Sequence, residues 1–248
     1  MSGVRLSLII PAYNSAGFIA DTLAGAIAYL ERRREPYELI VVDDGSSDGS
    51  PPLLADLSAG HCAIRFIRSP ANRGKGHAVR AGVMQSSGER VIFTDADLAY
   101  PLEEIDKIVR ALDTGADLAI ADRTAPQSLY HMSPAFFSYL YTRHLLSRLF
   151  NLMVRCWLGL DARDCQAGLK GFRRGAADII FSRQRLDGFA FDVEVLFIAM
   201  RFKLNVRQIP VEFRYFSEPS TVDFIRDSIG ALRDLVRVRL NAIGRRYA

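Results

Sequence analysis

Cysteine is scarce in this chain. Cys62, Cys156 and Cys165 form an odd, widely spaced set without a Cys-x-x-Cys pair, which excludes a disulfide framework and a cysteine-built zinc site and points to a reducing, cytosolic setting. No apolar run reaches the ~18 residues that a membrane-spanning helix needs. The opening stretch MSGVRLSLIIPAYN runs from its apolar core straight into Pro11-Ala-Tyr-Asn14, unlike a secretory leader. A soluble or peripheral protein is therefore expected. The chain also has no Gly-x-x-x-x-Gly-Lys-Ser/Thr loop and no Gly-x-Gly-x-x-Gly after its first apolar run, which counts against a P-loop NTPase and a dinucleotide oxidoreductase. Helix-turn-helix, RNP and finger signatures are missing as well, so nucleic-acid binding is not expected.

What is present suits one globular domain over 1–248: 49% apolar and 24% charged side chains in 248 residues. The net charge of +4 conceals an asymmetry between halves. Residues 1–122 carry 12 basic against 17 acidic side chains, whereas residues 123–248 carry 20 against 11. Of the 32 basic residues, 28 are arginine, the side chain best suited to phosphates. Solvated surface is the plain explanation for many of these charges taken singly.

Leu6–Ile10 is a continuous apolar run ending at Pro11, and Ala16–Arg34 follows with Ile19, Leu23, Ile27 and Leu30 at helical spacing. Further apolar runs at Glu38–Val42, Ala63–Ile67, Val91–Thr94 and Leu118–Ala121 alternate with helical candidates near 50–58, 75–86 and 102–113. Strands that alternate with crossover helices imply an α/β fold with a mainly parallel, doubly wound sheet. Ligands of such sheets bind beyond the carboxyl ends of the strands. Each run is followed by a polar cluster: Pro11–Asn14, Asp43–Asp48, Asn72–Gly76, Asp95–Asp97 and Asp122-Arg123. Any one of them is also a natural turn or helix-entry loop.

Asp95 and Asp97 are harder to assign to a turn alone. At i, i+2 in an extended segment they would project the same way from a strand end, and close like charges are costly unless a cation lies between them. A hard divalent cation, Mg²⁺ or Mn²⁺, fits two carboxylates and would complete its shell with water and phosphate oxygens.

The ordered set Pro11-Ala-Tyr-Asn14, Val42-Asp-Asp-Gly-Ser-Ser-Asp-Gly49, Asn72-Arg-Gly-Lys-Gly76 and Thr94-Asp-Ala-Asp97 resembles the nucleotide-sugar-binding half of the family 2 glycosyltransferases of GT-A fold. Asp164-Cys-Gln-Ala-Gly-Leu-Lys-Gly-Phe172 and Phe189-Ala-Phe-Asp-Val-Glu-Val-Leu-Phe197 are similar to the second half of the polyprenyl- and dolichyl-phosphate sugar synthases. The resemblance implies a mixed, mostly parallel sheet flanked by helices. It implies a nucleotide-sugar site at Pro11, Ala12, Tyr13, Asn14, Asp43, Asp44, Gly45, Lys75, Asp95, Ala96 and Asp97, with one of Asp43 and Asp44 accepting from a base N–H. Asp95 and Asp97 match the family's metal-binding Asp-x-Asp. Arg123 matches an arginine that would reach the acceptor or leaving phosphate, and Asp164 and Gln166 would hold the sugar or orient the acceptor. From the residues alone, Arg123 is equally a local ion pair with the preceding Asp, and Asp192 and Glu194 are equally two carboxylates on the edge of an apolar helix over Phe189–Met200.

The position where the mannosyl branch carries a glutamine is Ala99, and a Ser-Lys pair common among relatives is Ser220-Thr221 here. The first departure favours the glucosyl branch. The implied reaction is metal-dependent, inverting transfer of a hexose, glucose from UDP-glucose, onto a dolichyl or polyprenyl phosphate. A GDP-mannose-dependent synthase, another UDP-sugar transferase, and a catalytically silent nucleotide- or lipid-surface-binding protein are the alternatives. Two stretches suit an anionic membrane surface on its cytoplasmic face. Over Phe136–Leu160, Arg143, His144, Ser147, Arg148, Asn151 and Arg155 share one arc and Leu145, Leu149, Leu152, Met153, Cys156 and Trp157 the other. Over Asp223–Leu240, Phe224, Ile225, Ile229, Leu232, Val236 and Leu240 oppose Arg226, Arg233 and Arg237. Packing of either helix on the sheet explains the same pattern. His131 and His144 belong to no ligand set.

Overall fold

The computed structural model describes residues 3–132, 151–215 and 224–247. Most of the 136–160 stretch and the Ser220-Thr221 pair lie outside the described residues. The apolar runs form β1 (Leu6–Ala12), β2 (Tyr37–Asp43), β3 (Ile64–Arg68), β4 (Arg90–Phe93) and β5 (Leu118–Asp122). Between them run α1 (Ile19–Arg32), α2 (Ser50–Ala59), α3 (Lys75–Gln85) and α4 (Glu104–Asp113). Downstream come β6 (Leu129–Met132), the described part of α5 (151–158), β7 (Lys170–Arg173), α6 (Arg174–Arg183) and α7 (Phe191–Arg201). The chain continues through β8 (Val206–Pro210), β9 (Glu212–Tyr215) and α8 (Phe224–Ile243).

Seven strands form one sheet in the order β3-β2-β1-β4-β7-β5-β8, and β6 and β9 pair separately. β7 runs antiparallel to both neighbours, β4 and β5, while the remaining pairs are parallel. The expected mixed, mostly parallel sheet is present, with an antiparallel insertion where four residues containing Lys170 and Arg173 gave no apolar run to read.

Alternation along β1 sends Leu6, Leu8, Ile10 and Ala12 to a core under α1 and α4, and Ile9 to a second core under α3, α6 and α7. Strands buried on both faces read as continuous apolar runs, which is why they were visible in the sequence. The chain winds β1-β2-β3 to one side and then places β4 on the other flank of β1. The carboxyl ends of β1 and β4 therefore border a topological switch point.

α7 begins two residues later than expected and is buried along Phe191–Ala199, so Asp192 and Glu194 are interior groups and not on an edge. One further expectation, the place of Asn151 on the polar arc of α5, is corrected. Asn151 points inward and accepts the Cys165 N–H at 3.2 Å, beside buried Val154 and Leu158. Leu152, Met153, Cys156 and Trp157 face outward. On α8 the inward face is Leu235, Val238 and Asn241, while Val236, Leu240 and Ile243 are exposed. Both helices offer two apolar stripes, and contact with α7 and the sheet selects one.

Candidate active site

A cavity of about 370 Å³ opens at the switch point. Pro11, Ala12 and Tyr13 enter it from the end of β1, Asp44 from the end of β2, and Asn72, Gly74 and Lys75 from the entry to α3. Asp95 comes from the end of β4. Phe189 closes the wall from the segment before α7. No spacing in the sequence singled out Phe189, because its approach depends on how α7 crosses α3.

The two aspartates after β2 part company. Asp44 lines the cavity, and its Oδ2 accepts the backbone N–H groups of Arg73 (3.1 Å) and Gly74 (2.6 Å). Its other oxygen lies 3.4 Å from His77 Nδ1. Asp43, expected beside it, is wholly buried, accepts the Ser46 N–H and faces Arg68 at 3.5 Å. Consecutive side chains at a strand end point to opposite faces, so only one can look into the cleft. Asn14, at φ 47°, receives the Ser47 N–H on its side chain and donates its own N–H to Ser46 Oγ. It thereby ties the end of β1 to the turn that begins at Gly45. Gly74 sits at φ 112°, and a Cβ there would come within 2.5 Å of the Asp187 carbonyl oxygen, so this entry loop requires glycine.

Asp95 and Asp97 do not lie on an extended segment. Leu98 donates its N–H back to the Asp95 carbonyl at 3.2 Å and has φ 48°, so a turn brings the carboxylates together. Lys75 Nζ lies 2.5 Å from Asp95 Oδ1. Burial alone would lower the Lys75 pKa, but the charges of Asp95 and Asp192 overcome it and hold the ammonium above its ordinary value. Asp97 is exposed and accepts the Ala99 N–H at 3.1 Å. Crowding of its carboxyl by protein, then the charge of Asp95, pushes its pKa up. Ala96 faces away, with its carbonyl accepting from Thr22 Oγ1.

These two carboxylates suit a hard cation. They are hard oxygen donors held close, one already attracts an internal cation, and among the described residues no cluster of three or more His, Cys, Asp or Glu surrounds them. Mg²⁺ or Mn²⁺ held here would draw its other ligands from water and phosphate oxygens.

Beneath this turn, Gly168 abuts Asp95 so closely that a Cβ would collide with the carboxylate. The loop carrying Gly168 is fixed by Lys170, fully buried, whose Nζ donates to the Ala167 carbonyl (2.6 Å) and to Asp192 Oδ1 (2.5 Å). Burial raises the Asp192 pKa, against the pull of Lys170 and Lys75.

Arg123 binds not Asp122 but Asp164, through Nε (2.6 Å), Nη2 (2.8 Å) and its own backbone N–H (3.1 Å). Asp122 instead accepts from Thr124. Burial opposes charge on both partners. The mutual attraction prevails, holding Asp164 below the usual carboxylate range and Arg123 well above its ordinary value. Asp164 is thus a clamp on Arg123, whose guanidinium lies over the Phe213 ring. Buried Tyr100 sits between this pair and Asp95, with its hydroxyl accepting the Gly168 N–H at 3.3 Å. Gln166 is half-buried in the same 164–168 loop.

Residues 7–181 match the model of Glycosyl transferase family 2. The human dolichyl-phosphate beta-glucosyltransferase is 33% identical over 228 residues, covering 89% of this chain and 70% of that protein. The Saccharomyces cerevisiae protein of the same name is 31% identical over 250 residues, covering 96% and 75%. In structure, the chain is similar to glucosyl-3-phosphoglycerate synthase of Mycobacterium tuberculosis in complex with Mn²⁺, UDP and glucosyl-3-phosphoglycerate. That likeness has a TM-score of 0.61 at 21% identity and covers 97% of this chain and 80% of that one.

Proposed function

The chain belongs to glycosyl transferase family 2, and from that premise we propose that it transfers glucose from UDP-glucose to a dolichyl or polyprenyl phosphate with inversion at the anomeric carbon. The observation that carries this reading is the meeting of Lys75 and Asp95 in the lining of a cavity that Tyr13, Asp44 and Phe189 also line, with Asp97 two residues on in the same turn as Asp95. Tyr13, half exposed, offers a ring to a base, and Asp44 offers an acceptor to a base or ribose. The similarity to dolichyl-phosphate glucosyltransferases over most of the chain supports the acceptor, and the fold neighbour crystallised with UDP and Mn²⁺ supports the donor class.

Asp95 and Asp97 would hold Mg²⁺ or Mn²⁺, which supplies charge neutralisation to a departing diphosphate. The protein's own part is positioning and electrostatics. An acceptor phosphate is anionic at neutral pH, so its oxygen attacks the anomeric carbon without a general base. The bond from that carbon to the diphosphate oxygen breaks, and the electron pair leaves with UDP. Lys75 places positive charge beside the diphosphate, and Arg123, held in place by Asp164, would meet the acceptor phosphate.

The lipid must be met at a bilayer. Among the described residues no helix is long and apolar enough to cross a membrane. The exposed Leu152, Met153 and Trp157 of α5, and Val236, Leu240 and Ile243 of α8 with Arg233, Arg237 and Arg239 alongside, support docking on an anionic, cytoplasmic leaflet. Purified protein given polyprenyl phosphate with UDP-glucose, UDP-N-acetylglucosamine or GDP-mannose tests the reading. UDP-glucose should be turned over preferentially, and equal turnover of all three would overturn the glucosyl assignment.

A further inference from the structure

Glu194 lies on α7, fully buried, with both carboxylate oxygens engaged away from the cavity. Oε2 accepts the backbone N–H groups of Arg185 (2.9 Å) and Leu186 (2.8 Å). Oε1 accepts the hydroxyl of Tyr247 at 2.6 Å. Burial raises the Glu194 pKa, opposed by these three donors.

Tyr247 is itself buried, in the turn after α8. Its ring packs against Phe197, and its carbonyl accepts from Arg183 Nε at 3.3 Å. The segment that Glu194 holds, 184–189, forms the outer support of the cavity. Gln184 Nε2 donates to the Gly76 carbonyl (2.9 Å), the Asp187 carbonyl accepts the His77 N–H (3.1 Å), and the Asp187 carboxylate pairs with Arg73 at 2.7 Å. The same segment leads into Phe189 in the cavity wall.

We infer that Tyr247 and Glu194 are positioning residues for the nucleotide site: the C-terminal turn, acting through the Glu194 carboxylate, sets the 184–189 segment and with it the Gly74-Lys75-Gly76 entry to α3. A buried carboxylate with three donors has one favourable placement, and removing a donor leaves a buried lone pair unsatisfied. The inference rests on the reading of that cavity as a nucleotide site.

The test is Tyr247→Phe in the full chain, which keeps the packed ring and removes only the hydroxyl. Ile108→Val, in the core on the opposite face of the sheet, serves as a control for general destabilisation. Hydrogen exchange at the Arg185 and Leu186 amides should quicken by about tenfold in Tyr247→Phe, with the Leu8–Ile10 amides unchanged. The Kd for UDP with Mn²⁺ and the KM for UDP-glucose should rise by about threefold or more, with kcat within about twofold. Glu194→Gln, which retains an acceptor for the two amides, should restore much of the affinity lost in Glu194→Ala. Unchanged exchange at 185–186, faster exchange with an unchanged Kd, or the same response in Ile108→Val would each overturn the inference. Failure of the unaltered protein to bind UDP would overturn the nucleotide reading, and the inference with it. Binding that Tyr247→Phe leaves intact overturns the inference alone.

Discussion

Lys75 and Asp95 meet at 2.5 Å where the entry to α3 crosses the end of β4. If Asp95 binds a divalent cation as proposed, the ammonium would compete with it for the carboxylate in the absence of a diphosphate. With a diphosphate present both could be satisfied, because its oxygens can accept a hydrogen bond from the ammonium and donate a lone pair to the cation.

Replacing Lys75 by methionine should therefore have opposite effects on two ligands. Affinity for Mn²⁺ alone should rise by about threefold to tenfold, since a competing charge is gone, while affinity for UDP with Mn²⁺ should fall by at least as much. Calorimetry with each ligand checks both signs, and a parallel fall in both would refute the competition.

Asp97→Asn preserves shape and removes charge at an exposed position. Stability should change by no more than about 0.5 kcal/mol. Sugar transfer should fall by about 100-fold or more, and Mn²⁺-dependent UDP binding should disappear. Survival of both activities would remove Asp97 from the metal site.

Asp164 is buried and pairs with a partly exposed Arg123, whose charge its loss leaves uncompensated, so Asp164→Ala should cost about 2–3 kcal/mol in urea unfolding. The pair also marks the acid limb. Asp164 has a folded pKa below its ordinary value of 3.8, so its contribution is complete above 3.8 and is lost as pH falls through the folded value. Asp164→Asn should flatten that part of the stability curve and leave the region above pH 5 with no added slope.

Lys170 and Asp192 behave as a unit beneath Gly168. Lys170→Met strands a buried carboxylate and should destabilise by about 3–5 kcal/mol, whereas Lys170→Met with Asp192→Asn should recover a good part of it. Chemical denaturation of the two single variants and the double variant closes the cycle.

Trp157 is the one tryptophan in the chain and is 52% exposed on the outward face of α5. Its fluorescence is therefore a direct reporter of that face. Vesicles containing anionic lipid should shift its emission to the blue, and raised salt should weaken the shift. An emission spectrum indifferent to lipid would dismiss α5 as a membrane face.

Much of this architecture was readable without coordinates. Leu6–Ile10 and Glu38–Val42 announce central strands because both faces are buried, and the polar clusters after each strand announce the cleft because strand ends in a doubly wound sheet converge. β7 was not readable, since its four residues include a lysine whose burial depends on Asp192 from a helix 22 positions away. The covered face of α8 is not readable for a related reason: Val236 and Val238 are equally apolar, and only the position of α7 decides that Val238 is covered and Val236 exposed.

The order of elements, the family motifs and the supply of carboxylates and arginines are properties of the sequence, because they depend on local periodicity and residue chemistry alone. Tertiary structure decided which member of each pair acts. It turned Asp44 into the cavity and Asp43 away from it, gave Arg123 to Asp164 and not to Asp122, and tied Tyr247 to the backbone of Arg185 and Leu186 through Glu194. Each of these outcomes depends on where groups distant in the chain come to rest. The cost of leaving a buried charge or hydrogen bond unpaired makes that choice decisive.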